Sequence, residues 1–421
     1  MSTSLRNQTF PRRIANGKFE IRKTLGAGCF GKVYRAINME NNQEVAVKFE
    51  DLSSGVEQLS HEAAMLDMIS KPEKPQGFAQ HYYFGREGMC QMLVMEFLGR
   101  SLEDMLQTCG GRFSVKTCVL IAEQLLRRVE YLHSKCIVHQ DIKPENFVWG
   151  LRDCQHHLYL IDFGLSKRYY ERRHVRMRQH FGLIGTARYA SVSAHRGLEQ
   201  SRRDDLEAIG HMLVYLVRGW LPWSGLIARN IDEKHRKIKD KKENVSLRDL
   251  CRGFPKAFEA YLTYCRNLGF KARPDYTMLR KLFSDVRVQL QKKDRKLIQD
   301  HDFQWNDGKD LGNLKPIGAW TGTMQPDDNP RSEMLQGLSW ALSMKSDSKF
   351  RLDRSLTSST TSGTLKSSTS TETLKSSAGQ DEVGRLDKSL NAYSGLRYIC
   401  GCRPANVAEP TRRTEVQKTP S

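Results

Sequence analysis

The spacing of apolar residues changes once along the chain, near residue 100, and this limits the architecture more than any other feature. Before the change, "KFEIRKTLG", "KVYRAI" and "QEVAVKFE" alternate apolar and polar side chains. Period-two alternation turns one face of an extended segment toward a core, so strands are expected there. A helical stretch, "GVEQLSHEAAMLDMIS", interrupts them, and "FAQHYYFGREG" and "CQMLVMEF" return to strand. After the change, "SLEDMLQTCG" and "SVKTCVLIAEQLLRRVEYLHSKC" carry apolar residues three and four apart. So do "RRDDLEAIGHMLVYLVRG", "FPKAFEAYLTYCRNLG" and "DYTMLRKLFSDVRVQLQKK". That spacing gathers apolar side chains on one side of a helix. A small β-rich part followed by a larger helical part makes an α+β chain, without the strand–helix alternation of a parallel sheet.

The folded pattern fades around Trp305. Between Ser355 and Ser377, 16 of 23 residues are Ser or Thr, a composition that buries too little apolar surface to offset its ordering entropy. The expected organisation is a flexible lead-in at 1–16, one folded domain at 17–306 dividing near residue 97, and a mostly disordered, basic tail at 307–421. A short amphipathic stretch, "SEMLQGLSWALSM", is the exception within that tail.

The formal net charge of +19 points to anionic partners: nucleic acid, an anionic membrane face, or acidic or phosphorylated protein. No nucleic-acid-binding motif accompanies the charge, so specific nucleic-acid binding is not expected. The ten cysteines include no CxxC pair, and "MSTSLRNQTFPRR" has no apolar signal core. Reduced thiols and a cytoplasmic location are expected. "KHRKIKDKK", 234–242, resembles a nuclear-import patch, with a solvated basic loop as the plainer reading. The apolar runs are too short to span a bilayer. Cys400 and Cys402 in "YICGCRP" suit S-acylation and weak peripheral membrane contact, with unmodified thiols as the plainer reading.

Four stretches carry chemistry. "LGAGCFGKV" fits GxGxxGxV through Gly26, Gly28, Gly31 and Val33, a loop that can fold closely over phosphates. "VAVK" ends at Lys48, an ammonium able to neutralise nucleotide phosphates, and Glu62 on the following helix can hold it in place. In "HQDIKPEN", Asp141 can orient and deprotonate a hydroxyl, Lys143 can stabilise a transferring phosphoryl group, and Asn146 can hold magnesium, with His139 as packing support. In "LIDFG", Asp162 can bind magnesium and Phe163 packs beneath it. Each stretch alone has a bland reading as hairpin, surface lysine or helix-surface acid. All four occur in order, on the right elements.

Together they resemble a eukaryotic protein kinase, which implies a bilobal fold with a small β-rich N-lobe and a larger helical C-lobe. "GTARYASVSAHRGLEQSRRDDLEAIG", "LPWSGL", "LGRSLEDML" and "RPDYTMLRKLF" resemble the casein kinase I family, across roughly 17–306. At the place of that family's Ser-Ile-Asn triplet the chain has Ser191-Val192-Ser193, a partial match. The resemblance implies ATP and Mg2+ as cofactors, with ATP contacted by Leu25, Gly26, Gly28, Gly31, Val33, Ala46, Lys48, Met95, Glu96 and Leu98. Met95 would be the gatekeeper, Glu96 to Gly99 the hinge, and Asp205 the anchor of the catalytic loop. A scaffold that kept only the fold would be expected to lose Lys48, Asp141, Asn146 or Asp162, and all four are present.

The family prefers acidic or already phosphorylated protein substrates and typically has two anion pockets. By resemblance the first is intact, with Arg188, Lys234 and the backbone of Gly225. The second is eroded: Gln140 and Phe181 stand where the family has cations, and Lys167 remains. Each charge-assisted hydrogen bond lost there forgoes roughly 1.5–3 kcal/mol where desolvated. The loop between, "RYYERRHVRMRQH", is unusually basic, and Arg172, Arg173, Arg176 and Arg178 either re-create an anion site or simply face water. Gln140 cannot pair with an activation-loop phosphate, so no such phosphate is expected to be needed. The Ser/Thr-rich tail is expected to act as a tethered substrate and autoinhibitor.

Overall fold

The computed structural model describes residues 12–318, apart from 29, 30 and 56. The alternating segments form one antiparallel sheet. Its strands are β1 (Arg13–Ile14), β2 (Phe19–Gly28), β3 (Gly31–Asn38), β4 (Glu44–Asp51), β5 (His81–Glu87) and β6 (Cys90–Glu96), in the order β1-β2-β3-β4-β6-β5. Alternation along β4 sets its two faces. Val45, Val47 and Phe49 join Phe19, Ala36, Met92 and Val94 in a small core, which leaves Lys48 on the other face, against α1 (Gln58–Ser70).

The expected lead-in ends sooner than residue 17. Ile14 pairs with Phe19 across β1 and β2 and is buried in the same small core. Its apolar side chain covers that end of the cluster, and the strand pairing follows.

The helical part comprises α2 (Leu102–Thr108), α3 (Val115–Ser134), α4 (Val192–His195), α5 (Arg202–Arg218), α6 (Ile231–Asn244), α7 (Leu247–Leu250), α8 (Lys256–Asn267) and α9 (Tyr276–Asp294). α3 runs through the middle and packs on α5 and α9. Ile121, Leu125, Leu126, Val129 and Leu132 of α3 are fully buried, each worth roughly 1.5–3 kcal/mol of burial. Ser101, Ser114 and Asp275 cap α2, α3 and α9 by accepting from the backbone N–H three residues on.

α6 departs from the sequence expectation. Residues 234–242 are helical, not a solvated loop. Asn230 caps the helix, Asp232 and Glu233 lie at its positive end, and Lys241 and Lys242 at its negative end. Only Ile238 and Lys242 are buried, so apolar periodicity gives almost no sign of it.

The segment after Trp305 is also more ordered than its composition suggests. Residues 307–318 are tied to the folded part at several points. Lys315 pairs with Asp153 at 2.9 Å, and its carbonyl lies 2.8 Å from His157 Nε2. Gly318 N donates to Gln76 at 3.0 Å, and Arg127 donates to the Gly318 carbonyl at 3.1 Å. Backbone groups make most of these bonds, so side-chain composition says little about them. The rest of the tail, with Cys400 and Cys402, lies outside the described residues. Among the described residues no helix is long and apolar enough to cross a membrane.

Two short ladders position the site. β7 (Ile137–Val138) pairs with β10 (Lys167–Arg168), and β8 (Phe147–Trp149) pairs with β9 (Leu158–Leu160). The loop 139–146 leaves β7 and enters β8, and the loop 161–166 leaves β9 and enters β10. Ladder pairing therefore brings two distant sequence motifs side by side.

Several histidines of this core are held neutral. Burial depresses the pKa of His133 despite the neighbouring Asp205, and depresses that of His211, with Lys242 adding to the effect. In the unfolded chain both titrate at the ordinary value near 6.5, so the unfolded state binds protons first as pH falls. Stability is whole above that value and lost below it. The unfolding midpoint in urea should fall steadily between pH 7.5 and 5, and a flat profile would contradict the buried neutral state.

Candidate active site

Lys48 on β4 meets Glu62 on α1 at 2.6 Å and Asp162 at 3.0 Å. Burial works against the ammonium, but Asp162 and Glu62 outweigh it and raise the Lys48 pKa. Burial pushes Glu62 up, against the pull of Lys48. Burial also acts to raise Asp162, yet Lys48 and Lys143 prevail and hold it below the usual carboxylate range. The three groups link the sheet, α1 and the loop after β9 through one buried charge cluster. Asp162 has φ +64, a left-handed conformation uncommon outside glycine and frequent at functional turns.

Asp141 lies in the neighbouring loop, 5 % exposed. Lys143 Nζ donates to its Oδ2 at 2.5 Å and Thr186 Oγ1 donates to its Oδ1 at 2.7 Å. Asn146 Nδ2 donates to the Asp141 carbonyl at 2.9 Å. Asn146 in turn accepts Ile161 N through its own carbonyl at 3.0 Å, stitching the two loops together. Burial lowers the Lys143 pKa, and the Asp141 carboxylate more than reverses this.

Asp205 on α5 lies beneath. Its carboxylate accepts His139 N at 2.7 Å and Gln140 N at 2.9 Å, and meets His133 Nε2 at 3.0 Å. Gln140 has φ +68, and Gly185 packs so closely on its carbonyl that a Cβ would lie 2.2 Å from that oxygen. His139 is fully buried and its ring contacts Phe163 at 5.3 Å.

Above the loops, Gly26 pairs with Val33 and Gly28 with Gly31 at the turn from β2 to β3. Gly31 has φ +133, and a Cβ there would lie 1.8 Å from the Phe49 carbonyl oxygen. Its glycine is therefore set by the strand beneath, whereas a Cβ at Gly26 would meet open space. Leu25 is exposed at this edge. Ala46 pairs with Met95 across β4 and β6, and Met95 packs on the main core. Glu96 turns its carboxylate to Lys74 at 2.5 Å and to Gln80 N at 3.0 Å, and its own N–H donates to the Gln80 carbonyl at 2.7 Å. Leu98 is half-buried, and Gly99 N donates to the Trp149 carbonyl.

The cations expected to read substrate divide into two groups. Arg188 stacks on Tyr215 and Tyr189, with ring centres 5.4 and 5.8 Å away, and no carboxylate pairs with it among the described residues. Trp223 Nε1 donates to its carbonyl at 2.7 Å, tying it to the turn that contains Gly225, which has φ +70. Lys234 is exposed on the first turn of α6. In the second group, Lys167 and Arg178 share the buried carboxylate of Glu199, Arg178 at 2.9 Å. Both also face the ring of Phe181. Lys167 is thus committed to an internal partner, as is Arg178, while Arg172, Arg173 and Arg176 face solvent. Glu199 and Thr186 were both visible in quoted motifs, but nothing in a linear pattern shows what they touch.

The arrangement can hold a nucleotide's phosphates near Lys48 and a hydroxyl near Asp141. The donors for magnesium fit. Asn146 spends its amide N–H on a backbone carbonyl, leaving its oxygen for a hard cation beside Asp162. Among the described residues no group of three or more His, Cys, Asp or Glu gathers as a metal site. Magnesium is ordinarily held by one or two protein ligands plus phosphate oxygens. If Thr186 orients Asp141, Thr186→Val should lower turnover on a peptide substrate about tenfold or more, while Thr186→Ser restores it. Equal turnover in Thr186→Val and the parent would remove that role.

Residues 19–281 match the protein kinase domain family. The chain is 41% identical over 332 residues to casein kinase I homolog 1 of Schizosaccharomyces pombe, covering 77% of this chain and 72% of that protein. With the motifs in the same order and the loops joined as described, the chain belongs to the protein kinases, within the casein kinase I family.

Proposed function

We propose that this protein is a Ser/Thr kinase that transfers the ATP γ-phosphate to hydroxyls of acidic or phosphate-primed proteins. The observation that carries the reading is the pairing of two hydrogen-bonded groups between sheet and helices, Lys48–Glu62–Asp162 and Asp141–Lys143–Asn146, stitched together by the bond from Ile161 N, next to Asp162, to the Asn146 carbonyl. Asp141 orients the hydroxyl and accepts its proton, held to one rotamer by Thr186 and Lys143. Lys143 also steadies the transferred group, and Lys48, fixed by Glu62, neutralises the α- and β-phosphates. Leu25, Gly26, Gly28, Gly31, Val33 and Ala46 roof the nucleotide, and Met95, Glu96 and Leu98 line its back edge. Asp162 and Asn146 hold magnesium, which when bound offsets phosphate charge. Gln140 and the Glu199 pairing with Lys167 and Arg178 support an activation segment that needs no phosphate. Its work is assigned to the cytoplasm, with access to the nucleus, on sequence grounds alone.

Wild-type protein with Mg-ATP should phosphorylate casein, and Asp141→Asn should lower the rate by about 10²–10⁴-fold. Wild-type rates no higher than that variant's would leave a scaffold that binds partners through the fold. Primed substrates are read by Arg188, Lys234 and the Gly225 backbone, since Arg and Lys carry the charge that phosphate requires. The double variant Arg188→Ala, Lys234→Ala should cut the primed-to-unprimed ratio by about tenfold or more. An unchanged ratio would end the anion-pocket reading.

The tail acts as a tethered substrate whose added phosphates compete for the same pocket. The described segment 307–318 bonds to the helical part, so the informative truncation ends at residue 318, not 306. Truncation there should raise the rate on peptide. An unchanged rate after full autophosphorylation of the intact chain would count against autoinhibition.

A further inference from the structure

α6 ends in a lysine that its composition conceals. Lys242 is 0 % exposed, the only lysine among the fully buried side chains of the described residues. Its Nζ donates to the Ala187 carbonyl at 2.9 Å and to the Ala190 carbonyl at 2.5 Å, and lies 3.2 Å from His195 Nε2. It sits 5.0 Å from the centre of the Trp223 ring. All three polar partners belong to 187–195, the segment that carries Arg188.

An isolated buried ammonium is costly, and a surface helix has no structural need of one. Here its hydrogen bonds go to the backbone carbonyls of Ala187 and Ala190, in the turn before α4, where His195 shares the Ala187 carbonyl at 3.0 Å and His211 meets that of Tyr189 at 2.9 Å. Arg188 is gripped on both sides: the carbonyl before it by Lys242 and its own by Trp223 Nε1 at 2.7 Å. Lys242 also lies on the helix that carries Lys234, eight residues earlier, about 12 Å along the axis at 1.5 Å per residue. A rigid helix bolted at one end to the Arg188 segment sets where Lys234 stands relative to Arg188. Burial holds the Lys242 pKa well below the ordinary lysine value; the charge of Glu207 opposes this, and that of Arg266, paired with Glu207 at 3.2 Å, adds to it.

We propose that Lys242 is a positioning residue for substrate selection: the two hydrogen bonds of its buried amino group fix the Arg188 segment against α6, and so set the spacing of the two cations that read a phosphate on the substrate. This rests on the reading of Arg188 and Lys234 as the anion pocket. Lys242 touches neither nucleotide nor reacting hydroxyl, so its loss should spare chemistry and impair recognition.

The test uses the full chain with phosphoserine-primed and unprimed versions of one acidic peptide. Lys242→Met keeps most of the volume and removes every donor. It should raise KM for the primed peptide about tenfold, leave kcat and the unprimed KM within about twofold, and speed amide exchange across 186–196. Combined with Arg188→Ala it should add nothing to the primed KM of Arg188→Ala alone. Equal losses on both peptides, a fall in kcat at constant KM, or additive effects would overturn the proposal. If Lys242→Met does not fold, Trp223→Phe removes the second grip while keeping a ring. It should shift the primed KM in the same direction, and no shift would overturn the clamp. A wild-type ratio near one would sink the anion-pocket reading itself. Amide exchange then still decides the lysine's role, and unchanged protection at 186–196 in Lys242→Met would refute it.

Discussion

The carboxylate of Asp205 holds the structure's central turn. It is 2 % exposed and accepts two successive backbone N–H groups, His139 and Gln140. Those amides belong to a turn that places Gln140 in the left-handed region, a conformation that costs energy unless its surroundings enforce it. Charge-assisted bonds to a buried carboxylate are strong and geometrically demanding. They fix the direction in which the next residue, Asp141, leaves the chain. Everything in the loop inherits that direction, including the bonds from Thr186, Lys143 and Asn146.

A second set of charges joins the two halves of the fold. Lys48 comes from the sheet, Glu62 from α1 and Asp162 from the loop after β9, and each needs the others because all are largely withdrawn from water. Removing one would leave buried charge uncompensated, which is far worse than never having had the group. The substrate side follows a different rule. Arg188 is held by aromatic faces and backbone grips and keeps its positive charge available, while Lys167 and Arg178 share the one negative charge of Glu199. The 67 Lys and Arg residues counted along the chain therefore overstate the cations that a ligand can meet: some are paired internally, and Lys242 is enclosed altogether.

Legibility in the sequence varied with the kind of force involved. β2 to β6, α1, α3, α5, α8 and α9 were read within a few residues, because each buries an apolar face whose period survives in the letters. α6 was not, since Ile238 is its only buried apolar residue and its start depends on the Asn230 cap. β1 and 307–318 were placed outside the fold because their attachment runs largely through backbone bonds and a single apolar side chain. Gly31 fits the phosphate-loop pattern, but what excludes a Cβ there is the Phe49 carbonyl, one strand away. Thr186, Glu199 and Lys242 stood in quoted motifs with no sign of what they would touch.

Local order along the chain settles what kind of chain this is. Residue types at fixed local spacing define strands, helices and the four motif stretches, because those depend on neighbours a few positions apart. Only the tertiary structure decided which charges are spent and which are free. Lys48 and Glu62 are 14 residues apart, Lys48 and Asp162 114, and Thr186 and Asp141 45. Pairings over such separations exist only once the sheet, the two short ladders and α5 have packed, because burial makes each bond strong and packing sets its direction.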